Sequence, residues 1–380
     1  MQPLQGVTVL DFSSLLPGPF ATLMLAQAGA EVIKFERPGA GDEMRGYEPK
    51  VGPDSTNFHL LNAGKRSVVV DLKAPKALDL LRPLIERADV IIEQFRPGVM
   101  DRLGFGYDTL RTINSRLIYC SLTGWGQNGP KAAIAAHDLN YMAEAGLLGL
   151  SSGNDGAPVV PPVLIADLAA GAFPAVVNIL LALRRRDQTN QGAFLDISMG
   201  ENLIPLAYWA LGNGFATGQW PGTGDSLVTG GSPRYQVYRT ADHRYLAAAP
   251  LEDRFWNNFC AAIDLPHELR APTADPSTVR RAITEIIAQR SASEWQERLG
   301  GSDTCCSIVA SLQEAVADKH FAARGTFAQQ MIAGQMVLPA LPGPVARCFR
   351  LEERVRAPAL GADTAELLGN RGPFAARKAT

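Results

Sequence analysis

Hydrophobic residues recur in short runs along the first 125 positions, and the runs follow two different periods. Continuous β-branched and apolar stretches are typical of strands buried on both faces, whereas apolar residues three and four positions apart are typical of helices. The pattern predicts strands at 7–12, 31–35, 67–72, 89–94 and 117–122, and helices at 20–27 and 75–86. Strands that alternate with helices predict an α/β fold with a parallel sheet covered on both faces.

One carboxylate interrupts a long apolar run at 163–183. Almost every neighbour of Asp167 in this run is aliphatic or aromatic. An unpaired buried carboxylate is costly unless it takes up a proton. Asp167 is therefore either the N-cap of a helix over 168–183 or a poised acid, and one residue can serve both purposes.

Composition narrows the classes of function. A chain of 380 residues with 46% hydrophobic and 19% charged residues can bury a large core and form more than one domain. A net charge of −2 and no basic tract disfavour nucleic acid or a membrane surface as the partner. Pro174 and Asn178 favour a buried helix over a membrane span at 163–183. Scattered cysteines and no signal-peptide pattern predict a cytoplasmic protein.

Basic residues beside Gly or Pro recur near the ends of the predicted strands. They occur in the segments Arg37-Pro38-Gly39, Gly64-Lys65-Arg66, Asp71-Leu72-Lys73 and Arg96-Pro97-Gly98. Ligands of open parallel sheets bind beyond the carboxyl ends of the strands, and Arg supplies bidentate phosphate contacts. The recurrence predicts a cradle for a phosphorylated, partly apolar ligand, and the alternative is a set of solvated loop charges. The absence of a Gly-Lys-Ser/Thr motif disfavours phosphoryl transfer.

Several motifs in fixed order resemble the family III CoA-transferases and their sister α-methylacyl-CoA racemases, the CaiB/BaiF type. The resemblance covers nearly the whole chain, although no single motif is specific. The motifs are Arg37-Pro38-Gly39, Gly64-Lys65-Arg66-Ser67, Asp71-Leu72-Lys73, Phe95-Arg96-Pro97-Gly98 with Arg102-Leu103-Gly104, Gly124-Trp125-Gly126-Gln127, His137-Asp138-Leu139-Asn140-Tyr141, Ala166-Asp167 and Leu195-Asp196-Ile197-Ser198-Met199.

The resemblance implies a Rossmann-like large domain with a smaller inserted α/β domain, in an interlocked homodimer. The implied ranges are a large CoA-binding domain at 1–212, a linker at 213–233, a small domain at 234–320 and a return to the large domain at 321–380. Within the small domain, apolar segments at 235–239 and 245–249 predict a hairpin.

The implied ligand is a coenzyme A thioester, bound as the substrate in a site lined by both chains. No tightly bound cofactor and no metal ion are expected. The residues implied to hold the nucleotide are Leu16, Pro17, Arg37, Leu72, Lys73, Gln94, Phe95, Arg96 and Arg102.

The two branches of the family use the carboxylate that matches Asp167 differently. In the transferases it is a nucleophile that passes through an acyl anhydride and an aspartyl-CoA thioester. In the racemases it forms an acid/base pair with a histidine, here His137, and a glutamate of the small domain, here Glu252, orients or tunes a partner. Imidazole titrates near neutral pH and therefore suits proton cycling at an α-carbon.

We therefore interpret the chain as an α-methylacyl-CoA racemase that moves the α-proton of a 2-methylacyl-CoA through an enolate. A family III CoA-transferase is the alternative, and a non-catalytic acyl-CoA-binding module is the third hypothesis. One departure weakens the racemase interpretation, because Val163 replaces the Asn that racemases commonly carry four residues before the aspartate.

Two further residues carry alternative interpretations. Trp125 either stacks on the acyl or pantetheine arm or packs beside the sheet. Asp196 precedes an apolar segment and is interpreted as a helix cap rather than a catalytic acid.

Overall fold

The computed structural model describes residues 2–153, 155–350 and 354–369. The strands are β1 Thr8–Asp11, β2 Glu31–Glu36, β3 Lys50–Val51, β4 Asp54–Ser55, β5 Arg66–Val69, β6 Val90–Glu93, β7 Ile118–Thr123, β8 Ala193–Ser198, β9 Gln236–Arg239, β10 Tyr245–Ala248, β11 Cys306–Ile308, β12 Gln330–Ala333, β13 Met336–Pro339 and β14 Val355–Arg356.

The helices are α1 Pro17–Gln27, α2 Thr56–Asn62, α3 Ala77–Arg87, α4 Val99–Arg102, α5 Tyr107–Ile113, α6 Asp138–Glu144, α7 Ile165–Asp167, α8 Phe173–Thr189, α9 Met199–Leu203, α10 Tyr208–Thr217, α11 Asp253–Ala262, α12 Pro276–Ile287, α13 Ala292–Leu299, α14 Leu312–Ala317, α15 Lys319–Ala323 and α16 Thr364–Leu368. Single 3-10 turns lie at Glu43–Gly46, Leu148–Leu150, Ile204–Ala207, His267–Leu269 and Arg347–Phe349.

The chain divides into two compact units. The first combines Met1–Ala145, Pro162–Leu206 and Lys319–Thr380, and the second combines Gly146–Pro161 and Ala207–Asp318. Residues 146–161 therefore group with the second unit, whereas the sequence placed them in the large domain. Helix α10 continues into the predicted linker at 213–233. Residues 370–380 of the predicted return segment lie outside the described residues.

The first unit contains a six-stranded parallel sheet in the order β5-β2-β1-β6-β7-β8. Strand β6 has the sequence Val-Ile-Ile-Glu and is buried along its length, as expected for a strand covered on both faces. The predicted α/β fold with a parallel sheet is confirmed. Helix α1 begins at Pro17, three residues before the predicted start, because Pro is tolerated in the first helical turn.

The apolar run after residue 163 forms one continuous helix from α7 through a π-helical turn at Leu168–Ala172 into α8. Asn202 Nδ2 donates to the Ala170 carbonyl oxygen in this turn at 3.0 Å. By length and composition, Ile165–Thr189 is the one described helix that would suffice to cross a membrane, and 39% of its most apolar window is buried. The predicted buried helix is buried only in part in the single chain, because Val177 and Leu181 of α8 are exposed.

The second unit contains the antiparallel sheet β11-β10-β9 and the helices that pack on one face of it. Strands β9 and β10 form the predicted hairpin, with Tyr245 opposite Arg239. Residues Tyr238 and Leu246 point into a core that includes Phe259, Ile283 and Trp295. This unit therefore has its own hydrophobic core, as expected of an independent domain.

Candidate active site

A cavity of about 410 Å³ lies in the first unit beside the carboxyl ends of β1, β6 and β7. Strand β1 lies between β2 and β6, so the strand order changes direction at this point and leaves a crevice, where ligands of such sheets bind. The lining residues come from within the segments 15–17, 94–97, 122–125 and 132–141, together with Asp167 and Met199.

Asp167 reaches this cavity from the first turn of α7 and is half-buried. The N-cap interpretation is wrong, because α7 begins before Asp167 and Leu164 occupies the cap position. Burial raises the pKa of Asp167 to about 6; Asp138 adds to this rise and His137 opposes it. A carboxyl group with this pKa is present in both protonation states near neutral pH, as a proton carrier requires.

Asp138 supplies the hydrogen-bond acceptor that Leu164 lacks. Its carboxyl group is buried, and Oδ1 accepts the backbone N–H of Asp167 at 2.9 Å. The bond satisfies one of the free N–H groups at the start of α7 and joins α6 to α7. Asp138 therefore positions Asp167 and also contributes to its raised pKa.

His137 occupies the N-cap position of α6, and its side chain is exposed on the cavity wall. Its backbone N–H donates to Asn140 Oδ1 at 3.0 Å, and its carbonyl oxygen accepts the N–H of Asn140 at 2.8 Å. These bonds fix the backbone from which the imidazole extends. The structure brings His137 and Asp167 into one cavity, where the imidazole partly offsets the effect of burial on the pKa of Asp167.

Three helices begin at this cavity. Leu16 is the N-cap of α1, His137 is the N-cap of α6, and Asp167 lies in the first turn of α7. Helix N-termini carry partial positive charge and free N–H groups, which favour negative charge. The site therefore suits a carboxylate or a thioester enolate better than a cation.

Tyr141 and Trp125 form a packed aromatic wall of the cavity. Their ring centroids are 5.1 Å apart in an edge arrangement, and the Tyr141 hydroxyl donates to the Ala136 carbonyl oxygen at 2.9 Å. Burial raises the pKa of Tyr141, Asp167 adds to the rise, and Arg96 opposes it, which places both charged groups near this ring. Trp125 thus packs as one alternative predicted, and its contact with an acyl or pantetheine arm stays a prediction.

The structure brings together some of the residues predicted to hold the nucleotide. Those that line the 410 Å³ cavity are Leu16, Pro17, Gln94, Phe95 and Arg96. Arg37 lines an adjoining cavity of about 240 Å³ that shares Gln94 and Phe95. Leu72 packs against the core, and Lys73 and Arg102 are exposed outside these two linings. The roles of all these residues stay predictions.

Part of the predicted basic cradle is structural. Lys65 is buried, and its Nζ lies 3.3 Å from Asp11 Oδ2 and donates to Asn62 Oδ1 at 2.9 Å. Burial lowers the pKa of Lys65 to about 8. Arg66 forms ion pairs with three carboxylates, which are Glu31, Asp363 and Glu366. Both cations pair with carboxylates of the protein itself. The interpretation of Lys65 and Arg66 as part of a phosphate-binding cradle is therefore wrong.

The structure shows the positions of two acidic residues that the sequence could not predict, Asp196 and Glu252. Asp196 lies within β8, where its Oδ2 accepts the backbone N–H of Gln127 at 3.1 Å, and Ser198 is the cap of the following helix α9. The cap interpretation of Asp196 is therefore wrong. Glu252 lies in the second unit at the N-cap position of α11 with an exposed side chain, and its catalytic role stays a prediction.

Comparison with known proteins shows the family of the chain. Residues 4–364 match CoA-transferase family III. The chain is 32% identical over 378 residues to α-methylacyl-CoA racemase of Homo sapiens, covering 97% of this chain and 93% of that protein. It is 32% identical over 386 residues to acetyl-CoA:oxalate CoA-transferase of Acetobacter aceti, covering 99% and 97%. A crystal structure of a CAIB/BAIF family protein from Brucella suis is similar with a TM-score of 0.82 and 27% identity, covering 96% of this chain and 98% of that one.

Proposed function

Since this chain belongs to CoA-transferase family III and is an acyl-CoA enzyme, we propose that it racemises the α-carbon of 2-methylacyl-CoA thioesters. The observation that carries the proposal is that Asp167 and His137 line one cavity and that the pKa of Asp167 is raised to about 6. A carboxyl group with this pKa and an imidazole in the same cavity can exchange roles as acid and base.

The proposed reaction moves one proton off the α-carbon and returns another to the opposite face. In one direction Asp167 as carboxylate takes the α-proton, and the electrons of the C–H bond form the enolate of the thioester. His137 as imidazolium then donates a proton to the other face. The reverse direction uses neutral His137 as the base and protonated Asp167 as the acid. Both directions leave each residue in the state that the opposite direction needs, and solvent exchange resets the pair.

The enolate intermediate carries negative charge on the thioester oxygen. Residues at the N-terminal ends of α1, α6 and α7 line the cavity, and Arg96 adds a cation to its wall. Fixed dipoles in a water-poor site stabilise such an oxyanion without reorganisation. Asp138 supports this arrangement by holding the first turn of α7 through its bond to the N–H of Asp167.

CoA transfer between carboxylic acids is the second candidate. Transferase relatives are as similar in sequence as racemase relatives, with acetyl-CoA:oxalate CoA-transferase at 32% identity. Asp167 faces the cavity with a half-buried carboxyl group, which also suits a nucleophile that attacks a thioester carbonyl. His137 distinguishes the two candidates, because transfer through an aspartyl thioester does not require a second residue that cycles a proton.

The partner of the chain is proposed to be a second copy of itself, in the interlocked homodimer expected for the family. Large apolar side chains exposed in the single chain support this proposal, because such surface is rarely left in contact with water. They include Val177, Leu180 and Leu181 of α8 and Tyr208 and Phe215 of α10. Sedimentation of the purified protein at micromolar concentration tests the dimer.

We expect the enzyme to act in the cytoplasm, with Glu252 contributing to its catalysis.

Incubation of the enzyme with a 2-methylacyl-CoA in deuterated water tests the proposed reaction. Without any acceptor acid, mass spectrometry should show one deuterium at the α-carbon. Asp167→Asn should abolish the exchange and His137→Asn should slow it at least about 100-fold. Asp187→Asn, at an exposed position late in α8, should retain it. If no label enters across a panel of thioesters, and hydroxylamine instead traps Asp167 after addition of acyl-CoA, the chain is a transferase.

A further inference from the structure

Side chains from other segments of the chain, rather than bonds within its own backbone, hold the turn between β1 and α1. The Ser13 carbonyl oxygen accepts a hydrogen bond from Lys34 Nζ at 2.8 Å. The Leu15 backbone N–H donates to Asp42 Oδ1 at 3.1 Å. Side chains that lie far along the sequence therefore satisfy the polar groups of this turn, which leaves its shape dependent on them.

Gln94 adds a third support from the loop after β6. Its Nε2 donates to the Ser14 carbonyl oxygen at 2.7 Å, and its Oε1 accepts the Gly18 N–H at 3.1 Å. A Cβ atom at Gly18 would lie 2.6 Å from Gln94 Oε1 and 2.2 Å from Ser13 Cβ. Only glycine therefore allows the amide of Gln94 to reach both ends of the turn.

Lys34 and Asp42 form a buried ion pair. Their Nζ and Oδ2 atoms are 2.8 Å apart, and both side chains are almost completely excluded from solvent. Asp42 Oδ1 also accepts the Met44 N–H at 2.9 Å, which fixes the carboxylate that receives the Leu15 N–H. Neither side chain lines the 410 Å³ cavity. They contact that cavity only through the turn, and Asp42 also lines the adjoining cavity of about 240 Å³.

The supported turn contains a residue in an unfavourable conformation. Leu15 has φ of +62°, in the left-handed region that a branched side chain rarely adopts. Leu15, Leu16 and Pro17 all line the 410 Å³ cavity. Strain of this kind persists where surrounding contacts impose it, and it clusters at ligand-binding sites.

We propose that Lys34 and Asp42 are positioning residues for acyl-CoA binding, which act by holding Leu15 in its left-handed conformation so that the cavity wall is preformed. Gln94 supports the same turn from the opposite side. The inference rests on the proposed function only in requiring that the 410 Å³ cavity binds an acyl-CoA. It does not depend on whether racemisation or CoA transfer follows.

The consequence is a specific loss of affinity when the support is removed. A turn that relaxes to an ordinary conformation must be rebuilt each time the ligand binds, and that cost reduces the affinity. The cost of the left-handed conformation for a non-glycine residue corresponds to about a tenfold change in Kd. We therefore expect a Kd for acetyl-CoA about tenfold higher in a variant that lacks the support.

The experiment uses two variants that disturb the turn from different sides. In Lys34→Met combined with Asp42→Leu, apolar side chains replace the ion pair, which avoids an unpaired buried charge. Gly18→Ala places a Cβ atom 2.2 Å from Ser13 Cβ and 2.6 Å from Gln94 Oε1, so it disturbs the turn and its contact with Gln94 directly. The matched control is Arg186→Met, which removes the largely buried Arg186–Asp89 pair at 2.9 Å in the same unit and does not touch the turn. Calorimetric titration of each full-length protein with acetyl-CoA gives Kd, and thermal unfolding gives Tm.

We expect both turn variants to bind acetyl-CoA about tenfold more weakly, whereas the control should have a lower Tm and a Kd within twofold of the wild-type value. A purely structural role for Lys34 and Asp42 predicts a lower Tm with unchanged Kd, and that result overturns the proposal. If the double variant does not fold, Gly18→Ala decides, and an unchanged Kd overturns the proposal. If the wild-type protein itself binds neither acetyl-CoA nor a branched acyl-CoA, the proposed function fails, and the inference fails with it.

Discussion

Replacing Asp167 by Asn is expected to abolish turnover and, at the same time, to make the first unit more stable at neutral pH. Burial raises the pKa of this carboxyl group from 3.8 to about 6, so the folded protein binds the proton more tightly than the unfolded chain. The free energy of unfolding therefore decreases as the pH rises between these two pKa values. Above the pKa of the folded state, the full destabilisation by the buried carboxylate is present.

The destabilisation caused by the ionised Asp167 carboxylate depends on how far its pKa is raised by folding. The difference between 3.8 and about 6 corresponds to roughly 3 kcal/mol. The first turn of a helix favours a negative charge by up to about 1 kcal/mol, which offsets part of it. Asn has nearly the same shape and no charge, so the variant should gain about 2 kcal/mol at pH 8. For a unit of this size, that gain corresponds to a rise in Tm of about 4–8 °C.

Scanning calorimetry of both proteins between pH 4.5 and pH 8 measures this effect. The difference in Tm should be largest at pH 8 and should narrow as the pH falls, because the wild-type carboxyl group becomes protonated. A variant that is equally stable or less stable at pH 8 would refute the reasoning. It would show that the ionised carboxylate stabilises the start of α7 more than its burial costs.

Three further substitutions test other parts of the site. Asp138→Asn keeps an acceptor for the Asp167 N–H and removes a charge, so the acidic limb of the kcat/KM profile should move to lower pH; an unchanged limb contradicts the coupling. His137→Asn should slow α-proton exchange, followed by deuterium uptake, at least about 100-fold while Tm changes little, because the side chain is exposed. Gly124→Ala places Cβ 2.2 Å from the Tyr141 hydroxyl, so acetyl-CoA titration should show weaker binding, and unchanged affinity would show that the wall adapts.

Local patterns in the sequence were sufficient for five of the six strands of the parallel sheet and for the most unusual residue of the site, but β8 was missed because Asp196 was interpreted as a helix cap. Continuous apolar runs gave the parallel strands, because burial on both faces leaves a signature within each strand. Asp167 was visible as a lone carboxylate among apolar neighbours, and its raised pKa follows from the same burial. The pairing with His137 came from the family resemblance, since nothing in spacing alone relates positions so far apart.

Contacts between residues that lie far apart along the chain could not be predicted from the sequence. The bond from the Asp167 N–H to Asp138 requires the start of α7 to lie beside α6, and no local pattern specifies that. Lys65 resembled a phosphate ligand at a strand end. In the structure it is buried and paired with Asp11, which lies 54 positions away in the sequence. Lys34 lies within a strand and carried no signal of an ion pair with Asp42.

The proposed racemisation requires Asp167 and His137 to stand on opposite faces of a thioester's α-carbon. It is tested most directly by converting one epimer of a 2-methylacyl-CoA in deuterated water and separating the two epimers at low conversion. We expect deuterium in the newly formed epimer and almost none in the recovered starting epimer, with conversion lost in Asp167→Asn and in His137→Asn. Conversion that survives in either variant, or absence of the second epimer with the wild-type enzyme, would contradict it.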